Sequence, residues 1–196
     1  MAVTLSTYAL TDLDRVKGYR LAQGEELNTT TEQQDLIKNL INIYSTIIEN
    51  YCDRKFKSRE YTEYYDGDGS DTLFMNQYPV STITSINDDQ DWLWSDTTVI
   101  NSNYYRIVDS RYIVMKNNLF TVAKQSVKAV YTAGFTTTPE DINNACATEV
   151  IRAFDGITNL GVESISFLEV SETFVPMPFL PQTRLVLNNY KRKMSF

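Results

Sequence analysis

The run Asp66-Gly67-Asp68-Gly69-Ser70-Asp71 puts oxygen ligands at alternate positions, the donor set that suits a hard cation, and a calcium-binding EF-hand loop begins in the same way. The pattern then breaks. The sixth position is Asp71 instead of glycine, and the twelfth is Gln77 instead of a bidentate glutamate. The flanks are strand-like where an EF-hand has helices. A Gly-rich hairpin turn accounts for the run better, because Asp-Gly reaches positive φ at little cost.

A second carboxylate cluster, Asp88, Asp89, Asp91 and Asp96, surrounds Trp92 and Trp94. Paired carboxylates can do acid–base work, but no basic or nucleophilic partner stands nearby in the sequence. One reading is a hairpin loop whose Trp92 and Trp94 rings fold back on a β lobe. The other is a protein contact, since tryptophan anchors are over-represented at interface hot spots. The chain has no histidine, which removes the commonest general base and the commonest metal ligand. Cys52 and Cys146 each fall on an apolar helical face, so they read as buried free thiols and not as a disulfide or a ligand pair. No P-loop, nucleophile elbow or metal-ligand spacing is present. The residues therefore give no catalytic set, no metal site and no cofactor. A small metal-dependent binding protein or enzyme using the carboxylate loops is kept as a remote alternative.

These residues are positioned by a mixed set of elements. A short helix is expected over 8–22, with Thr11 as cap and Asp14 at the box position. The strongest helix runs over 32–52, with Thr31 and Gln34 at capping-box spacing. Its apolar face is Leu36, Ile37, Leu40, Ile41, Tyr44, Ile47, Ile48 and Tyr51. Strands rich in Tyr, Val, Ile and Thr are expected over 59–65, 71–76, 80–87, 104–109, 111–116 and 126–132. Helix returns over 139–155, with Thr138 as cap, Pro139 at the first position and Gly156 as a stop.

Residues 157–180 fit neither period. They carry Phe167, Phe174 and Phe179, broken by Pro176 and Pro178, and read as an extended arm that either covers its own core or docks on a neighbour. A last short helix follows Pro181 and ends at Lys191-Arg192-Lys193. That basic tripeptide is either a solvated tail or a contact with an acidic partner surface or DNA phosphates. The fold class is α+β: a small helical core of about four helices with an inserted antiparallel β lobe and an extended C-terminal arm. It is read as one unit over 1–196, with helices over 1–58, the β insert over 59–135, a helix over 136–158, and the arm and last helix over 159–196.

Bulk properties narrow the function. The chain of 196 residues carries a net charge of −7, which argues against a general nucleic-acid binder. Its 13 tyrosines favour a protein with large contact surfaces. No apolar run spans a bilayer and no signal-peptide core opens the chain, so a soluble intracellular protein is expected.

Three stretches in order carry a family resemblance. They are Tyr51-Cys52-Asp53-Arg54-Lys55-Phe56 leading into Tyr61 to Tyr65; Asp66-Gly67-Asp68-Gly69 followed by Leu73 and Tyr78-Pro79-Val80; and Val130-Tyr131-Thr132-Ala133-Gly134-Phe135 before Pro139-Glu140-Asp141-Ile142. With the closing Leu187 to Arg192, this order resembles the head–tail connector (adaptor, head-completion) proteins of tailed bacteriophages. The resemblance implies a non-enzymatic virion protein of the neck, made in the host bacterial cytoplasm. It implies a homo-oligomeric ring, usually twelve-fold, under the portal protein, which extends the DNA channel and docks the next neck or tail-completion protein. DNA would pass through without sequence-specific binding, and no membrane is involved. Another neck or tail-completion protein is the near alternative. The protein-interface candidates are Trp92, Trp94, Phe167, Phe174, Phe179, Lys191, Arg192 and Lys193.

Overall fold

The computed structural model describes residues 2–22, 30–157, 164–167, 170–173 and 179–192, with the backbone alone in the two short stretches from 164 to 173. The chain is α+β and divides into two compact units, Met1–Arg54 with Thr138–Phe196, and Lys55–Thr137.

The first unit is helical. Its helices are α1 (Leu13–Ala22), α2 (Thr31–Cys52), α3 (Glu140–Ile157) and α4 (Pro181–Tyr190). The central α3 packs on α2, α1 and α4. Asp12, and not Thr11, starts α1: its carboxylate accepts the Arg15 amide at 2.7 Å. The preceding segment is not helical: it makes a turn at Thr7 and Tyr8, where Ala9 N donates to Ser6 O at 3.0 Å, and it lies on α2, where Asn42 accepts from Ser6 N and donates to Thr4 O. Ser45 Oγ accepts Leu10 N at 2.9 Å. These side chains hold the chain off the helical path expected from residue 8.

A capping box also starts α2, one residue earlier than its spacing suggested. Thr30 Oγ1 accepts Gln33 N, and Gln33 Oε1 accepts Thr30 N. Asp53 ends it in the left-handed conformation at φ 50°. The residues that α2 buries are Ile37, Ile41, Ser45, Ile48, Glu49 and Cys52, fewer apolar positions than the pattern and including the polar Ser45 and the charged Glu49. In α3 the buried residues include Ile142, Cys146, Val150 and Glu149. Gly156 lies inside the last turn of α3 and does not stop it.

Glu149 is fully buried and tied on both oxygens. Arg152 Nε and Nη2 donate to Oε2 at 2.8 Å, and Leu180 N donates to Oε1 at 2.8 Å. Leu180 is the N-cap of α4 and offers no side-chain cap, so the Glu149 carboxylate supplies the acceptor and the negative charge that a helix N-terminus favours. The segment read as an extended arm contains an antiparallel pair, β7 (Ser164–Phe167) and β8 (Val170–Thr173).

The second unit holds two three-stranded antiparallel sheets. One has β6 (Ala123–Ala133) between β1 (Arg59–Gly67) and β3 (Val80–Asp88); the other has β5 (Tyr112–Met115) between β2 (Thr72–Phe74) and β4 (Tyr105–Val108). Their shared core contains Leu73, Ile86, Ile113, Phe120, Val127 and Tyr131. The six strands match the expected ones, but the connections differ. Of the consecutive strands in this unit, β4 and β5 alone pair, through a turn with Asp109 and Ser110 both at φ 51°. The Asp66–Asp71 run and the 88–104 stretch therefore cross between sheets and are not hairpin loops. The unit's two ends meet. Phe135 N donates to Phe56 O at 2.6 Å and Ser58 N donates to Phe135 O at 3.0 Å. Gly134, at φ +112°, lets this happen, since a Cβ there would sit 2.7 Å from the Lys57 carbonyl carbon.

Candidate functional site

The Asp66–Asp71 carboxylates are already committed as acceptors within the chain. Asp66 takes Lys124 Nζ and Gln125 N, both at 2.8 Å. Asp68 takes the hydroxyl and the amide of Ser70. Hydrogen bonding to Lys124 holds the Asp66 carboxyl below the usual range, and hydrogen bonding to Ser70 does the same for Asp68. The run is a turn that closes on Gly69 at φ +79°. Among the described residues no group of three or more Cys, Asp or Glu side chains is placed to hold a metal ion. A cleft of 540 Å³ beside β4 and β5 is lined by Asp71, Tyr105, Arg106 and Lys116 among others. Burial pushes the Tyr105 phenol above its ordinary value, which makes it a poorer base at neutral pH.

The second carboxylate cluster is a loop scaffold. Asp89 is 8% exposed, and its carboxylate accepts three backbone amides: Asp91 N at 2.9 Å on Oδ1, with Leu93 N at 3.1 Å and Trp94 N at 2.9 Å on Oδ2. Trp92 and Trp94 both sit at positive φ, 58° and 52°, an arrangement that costs bulky residues free energy and needs such a clamp. Asp89 N in turn donates to Ser126 O, and Asp88 holds the Thr121 amide and hydroxyl. The loop is thereby tied to the segment leading into β6.

The two tryptophans part ways on this scaffold. Trp94 folds back over Tyr64, with ring centroids 5.4 Å apart, and Lys128 Nζ lies 6.0 Å from its ring centre. Trp92 anchors its indole N–H on Lys124 O at 3.0 Å but stays 57% exposed. Leu93 and Val122 are 78% and 75% exposed on the two tied segments. The result is a pre-ordered apolar tip with exposed carboxylates, Asp91 and Asp96, beside it. Sequence reasoning found Trp92 and Trp94 but missed Asp89 as the clamp and Leu93 and Val122 as the most exposed apolar groups. An aspartate just ahead of a turn is an Asx signal that could have marked Asp89.

The remaining candidates lie in the helical unit. Phe179 is 1% exposed and packs edge-on against Tyr51 at 5.2 Å. Lys191 Nζ stands 4.9 Å over the Tyr51 ring. Arg192 N donates to Cys52 O, the last carbonyl of α2, and its guanidinium is 3.7 Å from Asp53. Both cations therefore close the C-terminal end of α2 within the same chain. Phe167 stands opposite Val170 in the antiparallel register of β7 and β8. Phe174 and Lys193 lie outside the described residues. The structure brings Tyr51, Phe179, Lys191 and Arg192 together, and separately Trp92 with Leu93.

A helical unit carrying an inserted pair of antiparallel sheets, with a preformed contact tip and committed carboxylates, is the architecture set beside known proteins. The family model described as "Head completion protein" matches residues 9–192, so the chain belongs to the head completion protein family. It is a structural protein of the virion, a head-completion or head–tail connector protein. A comparison with curated proteins gave no match. Among solved structures, the fold is similar to a chain in "Neck of empty GTA particle computed with C6 symmetry" (TM-score 0.63, 15% identity) and to one in "Neck of native GTA particle computed with C12 symmetry" (TM-score 0.58, 14% identity). A chain in "Virion of native gene transfer agent (GTA) particle" is similar at TM-score 0.63 and 14% identity. Each of the three comparisons covers 100% of this chain and 96% of the other. No helix among the described residues is long and apolar enough to cross a membrane.

Proposed function

We propose that this head completion protein acts by assembling as a closed ring in the neck, extending the DNA channel below the portal protein and docking the next neck or tail-completion protein. The observation that carries the reading is the family match over 9–192, joined to similarity over the whole chain with neck proteins of particles computed with C6 and C12 symmetry. Sixfold and twelvefold symmetry both suit a ring, and a cyclic ring needs a subunit with two different sticky surfaces. The apolar tip at Trp92 and Leu93 is one surface suited to a partner, because its backbone is ordered before contact and costs less to immobilise on binding. The role involves no catalytic step. DNA passes without sequence-specific binding, since a subunit of net charge −7 repels phosphates more than it grips them.

The test is electron microscopy of the protein mixed with its cognate portal ring. An added ring of matching symmetry is the expected result. A bare portal ring under conditions where filled heads mature would overturn the portal-adjacent position and leave the near alternative, a later neck or tail-completion protein.

A further inference from the structure

One flank of α2 is apolar and partly exposed. By 3.6 residues per turn, Leu36, Leu40, Ile43, Tyr44 and Ile47 form a second stripe about 120° from the centre of the buried one. The spacing Leu36, Leu40, Ile43, Ile47 alternates four, three and four residues, which is the seam spacing of packed helices. Leu36, Ile43 and Ile47 are 36%, 45% and 38% exposed, and Leu40 and Tyr44 are half-buried. Charge is also missing from this flank. Between Asn39 and Asn50 the one charged residue is Glu49, and it is buried. The polar neighbours Asn39, Thr46 and Asn50 are neutral. An exposed helix normally carries charged residues on its outer face.

We infer that this stripe is the centre of the contact between neighbouring copies of the chain. The occupant follows from charge. Copies that each carry −7 repel on approach, and they meet at least cost where neither presents a carboxylate. A nucleic acid would need cations, which this flank lacks. Five partly exposed side chains fall well short of the roughly 800 Å² per partner of a stable interface, so the stripe is the apolar core of a larger contact with a polar rim. In a ring the contact is heterologous, so the stripe of one copy meets a different surface of the next. The inference rests on the ring reading above and adds the residues that close the ring.

The test replaces Ile43 and Ile47 together, once as I43D/I47D and once as I43N/I47N, with L119D as control because Leu119 is 65% exposed in the β unit. Assembly is followed by sedimentation velocity of the full chain, alone and with portal rings. Both double variants keep the wild-type circular dichroism, since neither site is buried, and need about tenfold more protein or worse to assemble, while L119D behaves as wild type. Rings formed at wild-type concentration by either folded double variant would overturn the assignment and leave the ring reading standing. Equal loss in L119D would overturn it too, because any added charge would then suffice. A wild-type chain that stays monomeric in both settings would overturn the ring reading, and this inference with it.

Discussion

Replacing Asp89 with alanine removes the acceptor for three backbone amides at 2.9–3.1 Å. Hydrogen bonds to a charged group contribute about 1.5–3 kcal/mol each, so the clamp supplies roughly 4–9 kcal/mol before solvent competition. Against it stand two tryptophans in left-handed backbone, at about 1–2 kcal/mol each. The clamp outweighs the strain, and without it the loop relaxes. The amides then recruit water at this surface position, which limits the net loss to about 2–4 kcal/mol. For a unit of this size that lowers the melting temperature by roughly 10–20 °C. The assay is built into the chain, whose only two tryptophans are Trp92 and Trp94. Tryptophan emission therefore reports on this loop alone. D89A is expected to shift emission to the red and to raise acrylamide quenching. D89N keeps one acceptor oxygen and falls between D89A and wild type. Unchanged quenching and an unchanged melt in D89A would refute the clamp, because three amides cannot lose their acceptor without consequence if that acceptor holds the loop.

Other outcomes follow from buried groups. E149A removes the oxygen that accepts both Nε and Nη2 of Arg152 and the oxygen that accepts the N-terminus of α4. A loss of about 2–4 kcal/mol in urea titrations is expected, and a shift below a tenth of that would rule out the role given to Glu149. Burial pushes the Cys52 thiol up to about 11 and the Cys146 thiol up to about 12. Neither should react with a thiol reagent near pH ~8 until the helical unit opens, and fast labelling of the native chain would contradict their burial. The Tyr65 and Tyr131 phenols are raised well above the ordinary range, by burial first, and both bond to Glu63. Because the unfolded chain loses these protons near pH ~10 while the folded chain keeps them, stability is full below that pH and falls as pH rises above it. Y131F should cost about 1–3 kcal/mol at neutral pH and flatten the alkaline fall; an alkaline slope as steep as wild type would show that Tyr131 is not its source.

Local chemistry made the elements legible, and competition between neighbours hid the details. The six strands of the β unit are visible because Val, Ile, Thr and Tyr cluster between turn residues, whereas β7 and β8 fall in the segment that reads as an extended arm. Which strands pair is not visible, because β1–β6 and β3–β6 contacts are long-range and leave no mark in a short window. The spacing points to a capping box at Thr31 and Gln34, whereas the structure closes it one residue earlier, at Thr30 and Gln33. Periodicity puts eight apolar residues of α2 on one stripe, whereas the structure buries Ile37, Ile41 and Ile48 and leaves Leu36 and Ile47 exposed. Periodicity records that a residue is apolar and not which surface covers it. Glu149 could not be placed, since a buried carboxylate is identified by its partners and Leu180 lies 31 residues away. Of the interface candidates, Trp92 stands at an exposed tip as its type suggested, while Phe179 is spent inside the helical unit.

The meeting of residues 56 and 135 bears on the order in which the chain folds. Helices α2 and α3 must find each other across all of Lys55–Thr137. Closing so long a loop costs about 2 kcal/mol more than closing one of a few residues. If the β insert folds first, the Phe56–Phe135 and Ser58–Phe135 hydrogen bonds fasten its two ends together, and the helices then have a short tether to close. The insert would in this way act as an internal clasp that speeds the pairing of two sequence-distant helices, and a short turn spliced between Arg54 and Thr138 should serve the helical unit equally well.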